Sequence, residues 1–508
     1  MVALMSYLQA AVTDLGLLYT WGLGTDGALG HSSYESQKTP TLVSYFGIEH
    51  PLVVTDVSCG SDNNSTHTVV KAEGYRSFGG QTEEVGKYLV QDREYMTEGA
   101  NATIDLDVPD NLDVSGCADR GRLFVFGHPS LQCVDDVSID NSSPQLVTRR
   151  RLNSSSEGGI KQISCGGGFT VVLTTAGNMY SWGKIANGRL GVGETNNLQN
   201  NSEFRALRVP QKIVVEEQGA NEEGEVIRFS SISCGAAHTI AVSSSGELFS
   251  WGRNTEGQLG DGTTLDRDVP TRLYEKASVD FPRFITAATG TNHSLAISDQ
   301  GTLYSWGGMG GAMIGLGDYV VKDGKTLSPS TFQKKLTDHT SSSEMKRKAF
   351  WRLCPWLRPR EIMSFRRSRQ ERILQVDGGD LHTVAVTISG EIYMWGTIAH
   401  FPKNGIGGEA TYHMPRRMGW TESVELGSQQ KHQDTFKLYA ASIAVAGGRS
   451  FALSVGSTLS SDIRRLMPRE VHQGLDYLSP TRRHIVTGKY ETSTISSNSK
   501  LDLTGRNK

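Results

Sequence analysis

The sequence lacks the features that mark several large classes of protein. Its 508 residues include only six cysteines, carry a net charge of −3 and contain no run of 18 apolar residues. A disulfide-rich scaffold, a protein that binds polyanions by bulk charge and a transmembrane helix are therefore not expected. Residues 1–18 are fairly apolar but have no basic start, so we do not expect a signal peptide.

Motifs of the common enzyme classes are missing as well. The sequence has no Cys-x-x-Cys pair, no His-Glu-x-x-His segment and no Gly-x-x-x-x-Gly-Lys-Ser/Thr phosphate loop. It also has no Gly-x-Ser-x-Gly in a strand–turn–helix context. We expect no catalytic residue, no cofactor and no metal site, and hence no bond-making chemistry.

Glycine is abundant, with 57 residues against 15 prolines, and much of it lies in a repeated unit. Segments 163–193, 232–262, 288–317 and 376–408 align in register. Each has an apolar run, a turn, an alternating strand that ends in Trp-Gly and a glycine-rich loop. Four short strands per copy cannot bury both faces alone, so neighbouring copies must pack on one another, as in a β-propeller.

The aromatic–glycine steps give the number of copies. They lie at Trp21, Phe78, Phe126, Trp182, Trp251, Trp306 and Trp395. The chain opens with half a copy at 17–30, and residues 445–454 resemble the missing half. We therefore predict an all-β, seven-bladed propeller closed by N- and C-terminal strands that share one blade, which removes the last open sheet edges.

The remaining segments set the predicted domain boundaries. Residues 1–16 are a lead-in, and 17–454 form the propeller. The surplus length of the copies lies in insertions, of which 81–113 is acidic and 318–375 is basic in its second half. Residues 455–508 are rich in Ser and Thr and show no repeat, so we expect a flexible, disordered tail.

The Gly-x-x-His-Thr … Gly-x-Leu-Tyr-Ser-Trp-Gly unit resembles the RCC1 (regulator of chromosome condensation) family of seven-bladed propellers. The resemblance covers roughly 17–454 and implies that the loops around the Gly-x-x-His step bind a small GTPase noncovalently in the exchange factors of the family. The matching partner-binding candidates here are Asp26, Asp62, His67, His238, Asn292, His293, Asp380, His382 and Arg449. Asp26 is one place off the family's Asp, and Phe169 and Ser450 replace the histidine in two copies.

The recurrent histidines have a second interpretation. A nucleophile or base is needed once, whereas these residues recur once per copy. Each imidazole can instead form a hydrogen bond to a neighbouring strand or loop. The aromatic residues of the aromatic–glycine steps are expected in the core or between blades.

Residues 345–372 form the basic half of the largest insertion, with ten Lys and Arg residues against Glu361 and Glu371. The basic candidates for partner contact are Lys346, Arg347, Lys348, Arg352, Arg358, Arg366 and Arg367. One interpretation is a solvated loop that packs its Trp residues on the propeller. The others are a protein-docking element and a surface for nucleic acid or an anionic membrane.

Together these features predict a protein-interaction scaffold or regulator. The alternative is a guanine-nucleotide exchange factor for a Ran- or Rab-like GTPase. We expect a monomer inside the cell, in the cytoplasm or the nucleus. Cys59, Cys165 and Cys234 occupy the same place in separate copies, so we expect small, buried, reduced thiols.

Overall fold

The computed structural model describes part of the chain and divides it into two compact units. The described residues are 2–4, 8–13, 15–48, 50, 52–62, 65–74, 121–128, 141–147, 158–193, 206–217, 225–274, 282–317, 320–321, 325–326, 355–365, 371–398, 410–417, 422–423, 433–434, 439–446 and 449–455. The first unit is Met1–Ala3, Tyr7–Lys184 and Phe204–Lys212, and the second is Leu4–Ser6, Ile185–Glu203 and Ile213–Lys508. Within the described part of the chain, no helix is long and apolar enough to cross a membrane.

The first unit contains three antiparallel sheets of four strands each, which we call blades 1 to 3. Their strands are β1 Val2–Leu4, β2 Leu8–Val12, β3 Leu18–Gly22 and β4 Gln37–Leu42; β5 Leu52–Asp62, β6 Ser65–Gly74, β7 Arg122–Gly127 and β8 Gln145–Leu146; and β9 Ile160–Gly166, β10 Phe169–Thr174, β11 Met179–Lys184 and β12 Ala206–Ile213. Every residue of β7, β10 and β11 is buried. Middle strands covered on both faces explain why these segments read as apolar runs.

The second unit contains blades 4 to 6 and four hairpins. Blade 4 has β15 Phe229–Cys234, β16 His238–Ser243, β17 Leu248–Gly252 and β18 Arg267–Arg272; blade 5 has β19 Phe284–Thr289, β20 His293–Ser298, β21 Leu303–Gly307 and β24 Arg360–Glu361; blade 6 has β25 Ile373–Gly378, β26 His382–Thr387, β27 Ile392–Ile398 and β28 Ala410–Arg417. The hairpins are β13 Glu216–Glu217 with β14 Glu225–Val226, β22 Val320–Val321 with β23 Lys325–Thr326, β29 Glu422–Ser423 with β30 Gln433–Asp434, and β31 Tyr439–Ala446 with β32 Arg449–Val455. Short 3₁₀ turns of the described residues include Ala186–Gly188, Gly308–Gly310, Ala312–Ile314, Pro355–Leu357 and Met363–Phe365.

These sheets confirm the all-β propeller class, but the predicted count of seven blades is wrong. The described residues form six four-stranded blades. The error arose at the two weakest copies, because Phe126 pairs with Thr68 in blade 2. The segments assigned to separate copies at Phe78 and Phe126 thus contribute to one blade. Phe78 itself and the acidic insertion 81–113 lie outside the described residues.

The predicted blade shared by the two termini is also wrong. Strand β2 pairs with β3 from Leu8↔Gly22 to Val12↔Leu18, so blade 1 takes all four strands from the N-terminal region. Residues assigned to a lead-in therefore supply two strands. Leu8 holds the place that His occupies in other blades, and without the His-Thr signature the strand was not recognised. The C-terminal segment pairs within the β31–β32 hairpin instead. The predicted tail lies outside the described part from residue 456 onward.

The outer strand of each blade contains or directly follows a proline. These residues are Pro40, Pro144, Pro210, Pro270, Pro359 and Pro415. Proline lacks the N–H that a central strand would need, so it is tolerated at a sheet edge and blocks further pairing there. In blade 5 this strand comes from the basic insertion, where Arg360 and Glu361 pair with Ser305 and Tyr304.

Apolar residues of adjacent blades meet in shared clusters. Between blades 4 and 5, Ile240, Val242 and Leu248 pack with Phe284 and Trp306. Trp306 is fully buried, and its Nε1 donates to the Gln258 carbonyl of the preceding blade at 2.9 Å. The predicted placement of the Trp residues between blades is therefore confirmed at this interface.

Candidate functional site

The recurrent histidines lie within two residues of the start of the second strand in four blades. They are buried, with at most 3% of their surface exposed. Each Nε2 lies within hydrogen-bond distance of a hydroxyl on the following second strand. The pairs are His67–Thr170 at 2.9 Å, His238–Ser294 at 3.0 Å, His293–Thr383 at 2.8 Å and His382–Ser450 at 2.6 Å. The imidazoles thus connect one sheet to the next.

The hydroxyl partners determine which ring nitrogen carries the proton. Ser294 Oγ donates to the Gln258 carbonyl at 2.7 Å, so it accepts from His238 Nε2–H. Thr383 Oγ1 donates to the Met313 carbonyl in the same way and accepts from His293. Burial lowers the pKa of both imidazoles to about 3, which keeps them neutral at physiological pH.

Glycine packs against the rings of His67, His238 and His293, which explains the glycine that ends each preceding strand segment. A Cβ on Gly235 would lie 2.6 Å from the Gly290 carbonyl oxygen and would overlap the His238 ring. A Cβ on Gly290 would overlap His293 in the same manner. Only glycine lets the imidazole and the next blade approach this closely.

The geometry corrects the role predicted for the histidines. With their rings inside the sheets, His67, His238, His293 and His382 have no surface through which to contact a partner. The register also corrects one assignment, because Val445 pairs with Ser450 as Gly378 pairs with Thr383. Arg449, rather than Ser450, therefore occupies the histidine position of the hairpin.

We call the loops that enter the second strands, together with the loops that follow the aromatic–glycine steps, the rim. On the first unit the rim holds two of the predicted carboxylates, each half-buried. Asp26 accepts from the Thr66 amide at 2.6 Å and from its hydroxyl at 2.9 Å. Asp62 accepts from Lys184 Nζ at 2.6 Å and from Ser65 Oγ at 2.9 Å. Both carboxylates join neighbouring blades.

On the second unit the rim brings together Asn292 and Asp380 with two residues that the sequence did not single out. Asn292 Nδ2 donates to Glu256 Oε1 at 2.7 Å, and Thr291 Oγ1 donates to Asp380 Oδ1 at 2.6 Å. Burial raises the pKa of Glu256, and the nearby Arg253 opposes that shift. These contacts order the loops of blades 4 to 6 along one edge.

Leu381 is a third rim residue that the sequence did not single out. It lies between Asp380 and His382, and 52% of its surface is exposed. The equivalent Ala237 and Thr66 are 6% and 3% exposed. A large apolar residue where other copies have small or polar ones was a signal available in the alignment of the copies.

The basic insertion is described only in part. Trp356 and Leu357 are buried, and Leu357 packs on Gly257 of blade 4. This supports the interpretation that the insertion packs its Trp on the propeller. Arg358 is exposed beside Pro359. The other basic candidates, Lys346, Arg347, Lys348, Arg352, Arg366 and Arg367, lie outside the described residues.

Comparison with protein-family models matches the repeat of this sequence. The model described as "Regulator of chromosome condensation (RCC1) repeat" matches residues 16–68, 176–242 and 245–297. Among curated proteins, the chain is 28% identical over 388 residues to the ultraviolet-B receptor UVR8 of Arabidopsis thaliana, covering 76% of this chain and 62% of the receptor. The chain thus spans less than two thirds of that relative's length.

Solved structures show the same fold. The chain is similar to human WBSCR16, with a TM-score of 0.56, 18% identity and coverage of 89% of this chain and 86% of the other. It is also similar to Prp20p of Saccharomyces cerevisiae, a structure described together with its binding to Gsp1p and histones. There the TM-score is 0.52 at 18% identity, covering 94% of this chain and 85% of Prp20p.

Proposed function

The chain carries RCC1 repeats, and from that premise we propose that it is a protein-interaction scaffold whose partner binds the rim of the second unit. The observation that supports this is Leu381, 52% exposed beside the Asp380 carboxylate. An apolar side chain inside a polar surround has the composition of an interface core with its rim. Cys59, Cys165 and Cys234 are buried thiols outside any disulfide, as the sequence predicts, which fits an intracellular protein.

The chemistry of this pair defines the partner. Leu381 requires an apolar side chain to cover it, and Asp380 favours a basic or hydrogen-bond-donating group beside that contact. The Thr291 hydroxyl orients the carboxylate. We therefore propose a protein partner that presents a small apolar patch next to a Lys or Arg.

The test compares two matched substitutions in the full-length chain. Leu381→Ser removes the apolar contact, and Leu265→Ser makes the same change at a residue 64% exposed on a blade 4 loop. Quantitative affinity capture from lysate should lose a defined set of partners with Leu381→Ser and Asp380→Arg, while Leu265→Ser retains them. Equal capture by all variants would reject the rim as the binding surface.

The second candidate function is guanine-nucleotide exchange on a Ran- or Rab-like GTPase. The fold likeness to Prp20p, a protein described with its binding to Gsp1p, favours testing it. An exchange factor binds the nucleotide-free GTPase most tightly, whereas a scaffold is indifferent to the nucleotide. Capture of a GTPase with EDTA but not with Mg²⁺ and GDP or GTP would support exchange. Identical partners in all three conditions would leave the scaffold.

A further inference from the structure

The β31–β32 hairpin is equivalent to the first two strands of a four-stranded blade. It joins blade 6 by the bonds that link complete blades. Gln375 exchanges two hydrogen bonds with the Ile443 backbone, at 2.8 and 3.1 Å. Asp377 accepts from the Val445 amide at 2.7 Å, just as Ser58 of blade 2 accepts from Cys165 N at 2.9 Å. With the His382–Ser450 contact, these bonds place β31 and β32 as first and second strands.

Strand β32 differs from every other second strand in the described residues. In the six blades the second strand pairs with a neighbour on each side, whereas β32 pairs only with β31. The exposure of Ser450, compared with the equivalent residues of the six blades, shows the effect of this missing neighbour. Ser450 is half-buried. Its six counterparts are at most 1% exposed, namely Gln9, Thr68, Thr170, Thr239, Ser294 and Thr383. Among the described residues, no strand lies beside the outer edge of β32 and its row of backbone donors and acceptors.

The complete blades show which strand fits this edge. In each of them, a third strand runs antiparallel and places Trp or Phe opposite the position of Ser450, as in Thr383↔Trp395 and Ser294↔Trp306. Glycine follows, opposite the histidine position. A second aromatic residue lies two places earlier in all six. The pairs are Tyr19/Trp21, Phe124/Phe126, Tyr180/Trp182, Phe249/Trp251, Tyr304/Trp306 and Tyr393/Trp395.

Residues 456–508 do not contain this sequence pattern. Their aromatic residues are Tyr477 and Tyr490, and no two aromatic residues lie two places apart. We propose that the edge of β32 is a docking site for an extended segment of another polypeptide with the pattern Leu/Ile-Tyr/Phe-x-Trp/Phe-Gly. The bound segment adds an antiparallel third strand, in which main-chain bonds give affinity and the two aromatic residues give specificity.

The experiment uses the full-length chain and a fluorescent peptide copied from its own blade 5, residues 300–308 (QGTLYSWGG). Anisotropy measures binding, and hydrogen exchange locates it. We expect saturable binding that slows exchange in β32 and leaves β26, already paired on both sides, unchanged. Replacing the peptide's Trp by Ala should weaken binding more than about tenfold, because the largest apolar contact is lost.

The matched control is a peptide N-methylated at the alternate amides that would face β32. It keeps both aromatic side chains but cannot donate the strand bonds, so we expect no measurable binding. Equal binding of the methylated peptide, or binding without slower exchange in β32, would overturn the proposal. So would a complete lack of binding. Slow exchange in β32 before any peptide is added would show that the chain already covers this edge, which also overturns it.

Discussion

The six blades and the β31–β32 hairpin are bonded to their neighbours in the same way but differ in the number of described strands. His293 reaches Thr383 of the next blade at 2.8 Å, and His382 reaches Ser450 of the hairpin at 2.6 Å. Beyond that contact the blades continue into third and fourth strands, whereas the described part of the hairpin does not.

The comparison separates two functions of the repeat. The first two strands carry the polar bonds that order neighbouring sheets. The third strand supplies the Trp that buries apolar surface between blades, and the outer strand ends the sheet at a proline. Loss of a third-strand residue should therefore affect stability, whereas loss of an inner bond should affect one junction.

The largest effect is expected from the third strand. Trp306→Ala removes a fully buried indole and its bond to the Gln258 carbonyl. We expect the free energy of unfolding to fall by about 3–5 kcal/mol. Denaturant unfolding measures this, with Met363→Ala, 56% exposed, as the control that stays within about 0.5 kcal/mol of the parent. A small loss at Trp306 would mean that inter-blade packing depends little on the third strand.

The next effect concerns the glycine beneath the imidazole. Gly235→Ala places a methyl against the His238 ring and 2.6 Å from the Gly290 carbonyl oxygen. Overpacking of this kind is expected to destabilise by about 1–3 kcal/mol. Thermal unfolding of the variant measures it. An unchanged midpoint would show that the two blades can move apart locally without loss of thermal stability.

A pair of histidine substitutions sharpens the comparison. His238→Phe breaks a junction between two blades, and His382→Phe breaks the junction between blade 6 and the hairpin. Each loses one hydrogen bond, worth about 0.5–1.5 kcal/mol. Hydrogen exchange should show faster opening of β19–β20 in the first variant and of β31–β32 in the second. Faster exchange spread evenly over the unit in both would contradict independent junctions.

The smallest effect is a pH dependence at the hairpin junction. Burial raises the pKa of Asp377 to about 7 from 3.8, so the folded chain holds a proton that the unfolded chain loses between those values. This carboxyl therefore stabilises less as pH rises through that window, and its contribution is constant above it.

Asp377→Ser supplies the hydroxyl that Ser58 offers in blade 2 without the charge. Exchange rates of β31 amides, corrected for intrinsic chemistry, should rise from pH 5 to 8 relative to this variant. The difference between the two proteins removes the opposite contribution of the buried histidines, whose lowered pKa favours folding at higher pH. Parallel pH profiles would show that Asp377 does not titrate in this range.

Much of the fold was predictable because most of its strands lie in copies of one repeated sequence motif. Trp182, Trp251 and Trp306 mark third strands, and His238 marks a second strand, as expected. The misses fall where that pattern is absent. Leu8–Val12 lacks the His-Thr signature, and the outer strand of blade 5 lies within a long insertion, so neither could be recognised by similarity between copies.

The candidate site was less predictable, because burial cannot be read from a recurrent residue. His67 and His238 recur because each forms the same hydrogen bond to the next blade. They are buried because two sheets approach closely there. Leu381 owes its importance to being exposed where Ala237 is not. Only the structure distinguishes these two cases, although the mismatch between copies pointed to Leu381.

Native-state hydrogen exchange on the full-length chain tests the comparison most directly. Strands β26 and β32 hold equivalent places, so their amides differ only in what lies beyond them. We predict that β26 exchanges at the rate set by opening of the whole unit and that the outward amides of β32 exchange orders of magnitude faster. Equally slow exchange in the two strands would contradict this prediction.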